Sequence, residues 1–400
     1  MDTKDTQELT LRLKQAATQE LEDILFWWCE HMVDEEHGGF YGRIDGKGKL
    51  HPDASKMVIL NTRILWTFSA ADRLLPNQKY RRIADRAYQY VVEYFWDTTH
   101  KGFYWCLDTL GNKIAGKKQV YAQAFAIYAL SEYFLLTQNQ DALDLANQTF
   151  SLIETHSRDQ HQGGYMEAFD EQWGPLEDLR LGEHDQNEAK TMNTHLHILE
   201  AYSNLFLATQ DPLHKEALTS LLQLFLDRFI SPLTLTQTLF FDENWQPKSQ
   251  TVSFGHDIEC SWLLWEGVEY LKDELWDGKT REIVIQMARE VLIHSLDPEG
   301  GIFYEKEANG HISIMKDWWP QAEAVVGFVN AFQLTNETNY LRAAAATWNF
   351  IQSHLKDPIH GEWYWGTFPD GTPNTLKDKA GPWKAPYHNA RACMEVMKRL

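Results

Sequence analysis

The chain has 400 residues, of which 44% are hydrophobic, and it carries a formal net charge of −20 at pH 7. This length and hydrophobic content are enough for a large buried core. An acidic chain is poorly matched to the phosphates of nucleic acids or to an anionic membrane surface, so we expect neither as a partner.

The N-terminal segment, with the sequence MDTKDTQE, lacks the basic start and the apolar run of a signal peptide. The chain also lacks a run of 18 uncharged apolar residues, so no membrane span is predicted. The four cysteines show neither the CxxC pairing of a zinc site nor the spacing of a disulfide framework. They are Cys29, Cys106, Cys260 and Cys393. These features predict a cytoplasmic protein with reduced thiols.

A short glycine–aromatic signature recurs along the chain. Its copies carry their first aligned glycine at Gly38, Gly102, Gly163, Gly300 and Gly361, and a degenerate copy without glycine lies near Leu239. The spacing of roughly 60 to 75 residues divides the chain into six units. Glycine permits tight backbone turns, so we expect each copy to form a short β-like turn.

Two kinds of helical segment lie between the signatures. The first kind is apolar nearly all round, as in a buried helix, and is predicted at residues 59–73, 121–136, 193–208, 258–271, 322–334 and 391–400. The second kind is amphipathic, as in an outer helix, and is predicted at 80–94, 141–155, 215–229, 281–294 and 340–354.

Six hairpins, each with one buried and one exposed helix, predict an all-α fold, an (α/α)6 barrel with an inner and an outer ring of helices. An open α-solenoid is the alternative. Buried helices that are apolar on every side favour the closed barrel. Because no Pro/Gly/Ser-rich linker divides the chain, we expect residues 1–400 to form a single catalytic domain.

Polar and ionisable residues occupy the starts of most buried segments, where apolar side chains would be expected. Because these starts recur at the repeat length, we expect them to meet at one mouth of the barrel and form an active site. The residues are Asn61, Arg63, Tyr121, Gln123, Asn193, His195, His197, His256, Asp257, Glu259, Trp319, Gln321, Glu323, Trp383, Tyr387, His388, Asn389 and Arg391.

The histidines in this set can be sorted by helical geometry. His195 and His197 lie about 200° apart on a helix, so only one of them can face the barrel axis. His256 and Glu259 lie three residues apart and share a helix face. We expect the Glu259 carboxylate to orient the His256 imidazole and raise its pKa. A buried ion pair without a catalytic role is the alternative.

Motifs of several other chemistries are missing from the sequence. It contains no HExxH, no GxSxG, no P-loop and no GxGxxG after a strand. We therefore expect no metal and no cofactor. Two other classes stay open. A glycoside hydrolase of the same fold would use two carboxylates from among Asp257, Glu259 and Glu323, and a non-catalytic sugar-binding protein would need no ionisable groups of matched pKa.

Six ordered segments carry a resemblance to a known family. They are Leu60–Trp66, Val120–Tyr128, Met192–His197, Ser253–Glu259, Trp318–Ala324 and Trp383–Asn389. On these segments, residues 21–400 resemble the N-acylglucosamine 2-epimerase superfamily, and within it the cellobiose 2-epimerases. The resemblance also implies an (α/α)6 barrel.

The resemblance implies an isomerase that reversibly epimerises, at C2, the reducing-end glucose of β-1,4-linked disaccharides (cellobiose, lactose, mannobiose) to mannose. The reaction would pass through ring opening and a cis-enediolate. A mannose 2-epimerase or an aldose–ketose isomerase of the same fold is the alternative. The partner is then a small sugar and the protein a monomer or homodimer. The predicted substrate-binding residues are Tyr121, Asn193, Trp319, Glu323 and Trp383.

The predicted catalytic residues are His256, His388, His197, Arg63 and Glu259. We expect His388 to remove the C2 proton of glucose and His256 to return one on the opposite face. Glu259 would orient His256. Arg63 and His197 would stabilise the charge that develops on the enediolate oxygens.

Overall fold

In a computed structural model, which describes residues 3–183 and 185–400, twelve α-helices alternate between two concentric rings. The inner ring contains α2 (Val58–Leu74), α4 (Val120–Thr137), α6 (Met192–Thr209), α8 (Phe254–Leu271), α10 (Trp318–Thr335) and α12 (Tyr387–Arg399). The outer ring contains α1 (Thr3–His31), α3 (Gln78–Tyr90), α5 (Gln140–Leu152), α7 (Pro212–Leu224), α9 (Glu274–Ser295) and α11 (Thr338–Phe350). Each inner helix packs against the next, and α12 packs against α2, so the ring closes. The predicted (α/α)6 barrel is confirmed.

The inner helices are buried along almost their whole length, whereas the outer helices expose a polar face. Three inner helices begin four residues earlier than predicted: α8 begins at Phe254, α10 at Trp318 and α12 at Tyr387. The first turns of these helices carry polar site residues, which the hydropathy pattern placed outside the helix. Among the described helices, none combines the length and apolarity that a bilayer crossing requires.

The N-terminal helix α1 is the sixth outer helix, which the sequence pattern did not identify. It packs against α12 and α11. Two of its tryptophans reach the last glycine–aromatic loop: Trp27 Nε1 donates to the His360 carbonyl at 2.7 Å and Trp28 Nε1 to Glu362 Oε1 at 2.9 Å. The outer ring is therefore closed by the two ends of the chain.

Short antiparallel strands form the predicted β-like turns. The strands are β1 (Lys56–Met57), β2 (Cys106–Leu107), β3 (Lys113–Ala115), β4 (Lys118–Gln119), β5 (Ala168–Phe169), β6 (Lys190–Thr191), β7 (Phe240–Phe241), β8 (Val252–Ser253), β9 (Glu305–Lys306), β10 (Ile312–Ser313), β11 (Lys316–Asp317) and β12 (Gly366–Thr367). They pair as β1-β2-β3, β10-β9-β8, β4-β5, β6-β7 and β11-β12. Five of these strands directly precede an inner helix, so the small sheets surround the mouth at which the inner helices begin.

Four outer helices end in a wider, π-helical turn before these loops. The turns are Val91–Phe95, Ile153–Ser157, Phe225–Phe229 and Ile351–Leu355. The signature glycines then turn the chain back toward the axis. Gly164 has φ +77°, and a Cβ there would lie 2.5 Å from the Trp245 ring and 2.9 Å from His195 Nε2. Only glycine fits this position without displacing its neighbours.

A buried lysine–aspartate pair joins five of the loops to the segment that leads into the following inner helix. Each lysine has almost no exposed side chain, so its charge is compensated inside the protein. The pairs are Lys56–Asp34 (2.7 Å), Lys118–Asp97 (2.8 Å), Lys190–Asp159 (2.7 Å), Lys316–Asp297 (3.0 Å) and Lys379–Asp357 (2.8 Å).

The opposite end of the barrel carries a buried carboxyl with an altered pKa. Burial, and then the nearby Glu395 carboxylate, raise the pKa of Glu266 from 4.5 to about 8. Folding therefore requires this group to take up a proton at any pH between these two values, and its contribution to stability falls as the pH rises. The free energy of unfolding of E266Q is compared with that of the wild type at each pH. We expect this difference to favour E266Q by roughly 1–4 kcal/mol more at pH 8 than at pH 5.

Urea unfolding at the two pH values measures this difference. Glu269 lies on the exposed face of the same helix, α8, so E269Q controls for the loss of one negative charge. An equal stability change at both pH values for E266Q would contradict the prediction.

Candidate active site

The mouth at which the inner helices begin encloses a cavity of about 710 Å³. A cavity of this size with a few convergent polar groups suits a small polar ligand. Its aromatic lining is Trp105, Tyr121, Tyr304, Trp318, Trp319, Trp365 and Trp383. Its inner polar lining is Arg63, Asn193, His197, His256, Glu259 and His388. Nine of the ten predicted site residues therefore line one cavity, and Glu323 is the exception.

The polar residues at the helix starts point in two directions. In four of the inner helices, one residue turns away from the cavity and binds the neighbouring loop. His195 Nε2 accepts a hydrogen bond from the Tyr165 amide at 2.8 Å, which is a structural role and leaves His197 as the histidine that faces the cavity. Equivalent bonds join Gln123 to Phe103 (2.8 Å), Asp257 to Gln237 (2.9 Å) and Gln321 to Ile302 (2.6 Å). The prediction that the whole polar set meets in the site is wrong for these residues.

Their neighbours two positions away point into the barrel, because residues two apart lie on opposite sides of a helix. His197 Nδ1 lies 2.9 Å from Glu200 Oε2. An ionised carboxylate only accepts hydrogen bonds, so Nδ1 carries the proton and Nε2 is available to a ligand as an acceptor. Burial lowers the pKa of His197 in spite of Glu200, which keeps the ring neutral.

His388 has the same arrangement on another repeat. Its Nδ1 lies 2.5 Å from Glu323 Oε1, which again leaves Nε2 as the free acceptor. Burial, followed by the positive charges of Arg63 and Arg391, lowers the pKa of His388 well below its usual 6.5. The His388 ring is therefore uncharged and oriented by a carboxylate.

The predicted role of Glu323 in substrate binding is corrected by these contacts. Its side chain is fully buried, Oε1 binds His388 and Arg391, and Oε2 accepts from Trp262 Nε1 at 3.0 Å. Because both oxygens are engaged by protein groups behind His388, Glu323 positions the histidine instead of contacting a ligand.

His256 differs from the prediction in both its partner and its pKa. Its Nδ1 lies 2.8 Å from Ser253 Oγ, and Glu259 Oε1 is held by Arg391 Nη2 at 2.7 Å. Burial, followed by the neighbouring His197, lowers the pKa of His256 to about 3. The prediction that Glu259 orients His256 and raises its pKa is wrong. A contact between a histidine and a carboxylate three residues later is instead found at His197 and Glu200.

Arg391 connects the two carboxylate–histidine pairs. Its guanidinium donates to Glu200 Oε1, to Glu259 Oε1 and to Glu323 Oε1, and it packs against the Tyr387 ring at 4.1 Å. Arg391 was among the polar residues predicted to meet at the mouth, but it had no assigned role, and Glu200 was not predicted as a site residue. The sequence signal for Glu200 was its position three residues after His197.

Three side chains of the same cluster are spaced like the ligands of a metal ion. Ligand atoms of Glu259, Glu323 and His388 lie within 4.8 Å of one another. However, Arg391 already donates to both carboxylates at 2.7 Å and supplies the positive charge that a cation would bring. The donor set fits an arginine-bridged network better than a metal centre.

Two residues of the cavity wall, Arg63 and Asn193, hold a buried polar atom without a protein partner among the described residues. Arg63 Nη2 donates to the Tyr121 hydroxyl at 2.7 Å, but the Arg63 Nε atom has no partner within the described part of the chain. The same is true of Asn193 Oδ1.

Trp319 lies beside both histidines that were predicted to transfer protons. Its ring centroid lies 4.7 Å from that of His256 and 5.8 Å from that of His388. Trp383 lies across the cavity beside Tyr121, with a centroid separation of 6.2 Å. Aromatic walls of this kind stack against the apolar faces of sugar rings.

Comparison with known proteins gives a consistent picture. Residues 39–392 match the family described as N-acylglucosamine 2-epimerase (GlcNAc 2-epimerase). The cellobiose 2-epimerase of Bacteroides fragilis is 46% identical over 389 residues, which are 96% of this chain and 98% of that protein. The structure of cellobiose 2-epimerase from Bacillus thermoamylovorans superimposes with a TM-score of 0.93 at 37% identity, covering 98% of this chain and 100% of that one. A D-mannose isomerase structure shares the fold, with a TM-score of 0.81 at 21% identity and coverage of 96% and 97%.

Proposed function

The chain belongs to the N-acylglucosamine 2-epimerase family and is a carbohydrate epimerase, and from this premise we propose that it epimerises the reducing-end glucose of β-1,4-linked disaccharides at C2. Cellobiose, lactose and mannobiose are the proposed substrates, and the product carries mannose at the reducing end. The observation that carries the proposal is the pair of imidazoles, His256 and His388, which both line the cavity and both lie beside Trp319.

The proposed reaction begins with opening of the sugar ring, because only the open-chain aldehyde acidifies the C2 proton. Nε2 of His388 then removes that proton, and Glu323 stabilises the imidazolium that forms. His256, which takes up a proton from solvent, returns it to the opposite face of C2 and so inverts the centre. The His388 imidazolium releases its proton to solvent, so that both rings end neutral. In the reverse direction the two histidines exchange roles.

The enediolate intermediate carries negative charge on oxygen, so it needs hydrogen-bond donors and positive potential. Arg63 supplies the guanidinium, and the six inner helices all begin at this mouth and direct their positive ends toward it. Neutral His197 presents Nε2 as an acceptor, so we assign it to a sugar hydroxyl instead of to an enediolate oxygen. Its predicted role is changed accordingly.

The lowered histidine pKa values predict an unusual pH profile. An ordinary histidine loses its base form as the pH falls through 6.5, whereas burial keeps His388 and His256 neutral at that pH. We expect kcat/KM for cellobiose to hold its plateau down to about pH 6, provided that circular dichroism shows intact fold. A fall in kcat/KM toward acid pH with a midpoint near pH 6.5 would contradict this prediction.

The cavity walls favour a disaccharide over a single sugar. In addition to the histidines, Trp105, Trp365 and Trp383 contribute aromatic surface to the cavity lining. We expect kcat/KM for cellobiose and lactose to exceed that for free mannose. Conversion of free mannose alone would support the alternative, a mannose 2-epimerase or an aldose–ketose isomerase.

The carboxylates of the site argue against the hydrolase alternative. A hydrolase needs an acid and a second carboxylate on either side of the glycosidic bond. Here Glu259 Oε1 and Glu323 Oε1 both bind the same nitrogen, Arg391 Nη2, at 2.7 Å, and Glu323 lies behind His388. We therefore expect no glucose to be released from cellobiose.

A further inference from the structure

The last glycine–aromatic turn departs from the others at one position. Each of the five glycine-containing turns contains two successive residues with positive φ, whereas the degenerate turn has one, at Leu235. The second of them is Gly39, Gly102, Gly164 and Gly301 in four repeats, and Glu362 in the last. Glu362 has φ +59°, a conformation that side-chain-bearing residues adopt at a cost. Strain of this kind persists only where surrounding contacts maintain it, and it is often linked to function.

The Glu362 carboxylate changes how the loop is connected to the inner helix. In four of the other repeats an inner-helix side chain accepts directly from the amide after the turn, as Gln123 does from Phe103 at 2.8 Å, whereas in the first repeat, among the residues that the structure describes, Asn61 makes no such bond. In the last repeat the carboxylate of Glu362 accepts from the Trp363 amide, and Asn389 Nδ2 donates to Glu362 Oε1 at 2.7 Å. The carboxylate is thus inserted between the loop and α12.

Two further groups converge on the same carboxylate. Lys384 Nζ donates to Oε2 at 2.8 Å, and neither side chain has any exposed area. Trp28 Nε1, from the N-terminal helix, donates to Oε1 at 2.9 Å. Lys384 directly follows Trp383 of the cavity wall, and Asn389 directly follows His388.

We propose that Glu362 is a positioning residue for His388, acting through Asn389 and Lys384 and tying the first turn of α12 to the N-terminal helix. This inference rests on the proposed function, in which His388 is the base. The bond between His388 Nδ1 and Glu323 joins two repeats, so it depends on where α12 begins. Displacement of a catalytic group by about 1 Å can lower a rate ~100-fold.

The loop already has the connection that the other repeats use for stability. Lys379 binds Asp357 at 2.8 Å, in the same way as the four other buried lysine–aspartate pairs. Glu362 is an addition to that pair, found in the loop that precedes His388. A purely structural turn at this position could use glycine, as the other repeats do.

The test compares E362G/K384M with the wild type. Glycine restores the residue that the other repeats use, and methionine avoids leaving a buried unpaired charge. We expect kcat on cellobiose to fall ~10- to 100-fold, with KM changed less than about threefold and cooperative unfolding retained.

A gentler pair of variants keeps the inference testable if the double variant does not fold. W28F removes the indole donor to Glu362, and W27F removes the neighbouring indole donor to the His360 carbonyl. We expect W28F to lower kcat and W27F to leave it unchanged. Equal kcat values for W28F and W27F would overturn the proposal.

A second readout does not depend on the substrate. In protein labelled with ¹⁵N-histidine, the His388 imidazole signals are identified by their loss in H388N. We expect these signals to shift in E362G/K384M and W28F and to stay in place in W27F. Unchanged His388 signals and unchanged kcat would overturn the role of Glu362. If the wild type converts no sugar, the proposed function fails, and the imidazole signals still decide the role of Glu362.

Discussion

Replacing His388 by asparagine is expected to lower kcat/KM for cellobiose ~10²- to 10⁴-fold, the range that general-base catalysis contributes. His388 lines the cavity and combines a free imidazole nitrogen with the Glu323 carboxylate, which can stabilise its protonated form. Asparagine keeps a donor for Glu323 but has no group that accepts a proton near neutral pH. The measurement is steady-state kinetics on cellobiose, with circular dichroism to check the fold.

The chain supplies a matched control for this variant. His195 is also fully buried at the start of an inner helix, but it accepts from the Tyr165 amide. Glutamine performs the same task at positions 123 and 321. H195Q should therefore retain activity within about tenfold of the wild type, since no transition-state contact is removed. Comparable losses in H195Q and H388N would contradict the assignment of His388 as the base.

Replacing Arg391 by methionine is expected to destabilise the protein by about 3–5 kcal/mol and to abolish most of the activity. Removing one partner of a buried ionic network leaves uncompensated charge in the interior. Here the guanidinium bridges Glu200, Glu259 and Glu323, all of which are buried. Without it, the two carboxylates that orient His197 and His388 repel each other.

Urea unfolding and kinetics together test this expectation. R391K should fail to restore activity, because a single ammonium cannot reproduce the planar contacts to three carboxylates. R43M is the control: Arg43 forms an ion pair with Asp378 at 2.9 Å at the partly exposed surface, and such pairs are worth about 1 kcal/mol or less. A stability change in R391M as small as that in R43M would show that the bridge is not needed.

The barrel was predictable because each repeat contains two features that are recognisable in the sequence. Buried helices that are apolar all round and glycine–aromatic turns recur together, and both can be read without any contact information. The N-terminal helix α1 was not identified, because it precedes the first signature and pairs with the last inner helix, α12. That pairing joins the two ends of the chain, which no local pattern reveals.

The candidate site was predictable as a set of residues but less so as a set of contacts. The six-segment resemblance to the N-acylglucosamine 2-epimerase family is confirmed. The partners of the histidines depend on which neighbouring repeat approaches each helix. Spacing suggested Glu259 for His256, whereas Arg391, which lies 132 residues beyond Glu259, holds that carboxylate instead.

Some missed features had signals in the sequence. The two-residue offset that separated His195 from His197 also separates Gln123 from Tyr121 and Gln321 from Trp319. If this two-residue offset had been applied to every repeat, it would have distinguished the residues that bind a loop from those that line the cavity. The pKa direction was not predictable in this way, because it depends mainly on burial, which opposes the effect of nearby carboxylates.

The central claim, proton transfer at C2 of a reducing-end sugar, is tested most directly by incubation with cellobiose in heavy water followed by NMR of the reducing end. The proposed reaction predicts a growing mannose-configured product that carries deuterium at C2. Release of free glucose, or no change of cellobiose while free mannose is converted under the same conditions, would contradict it.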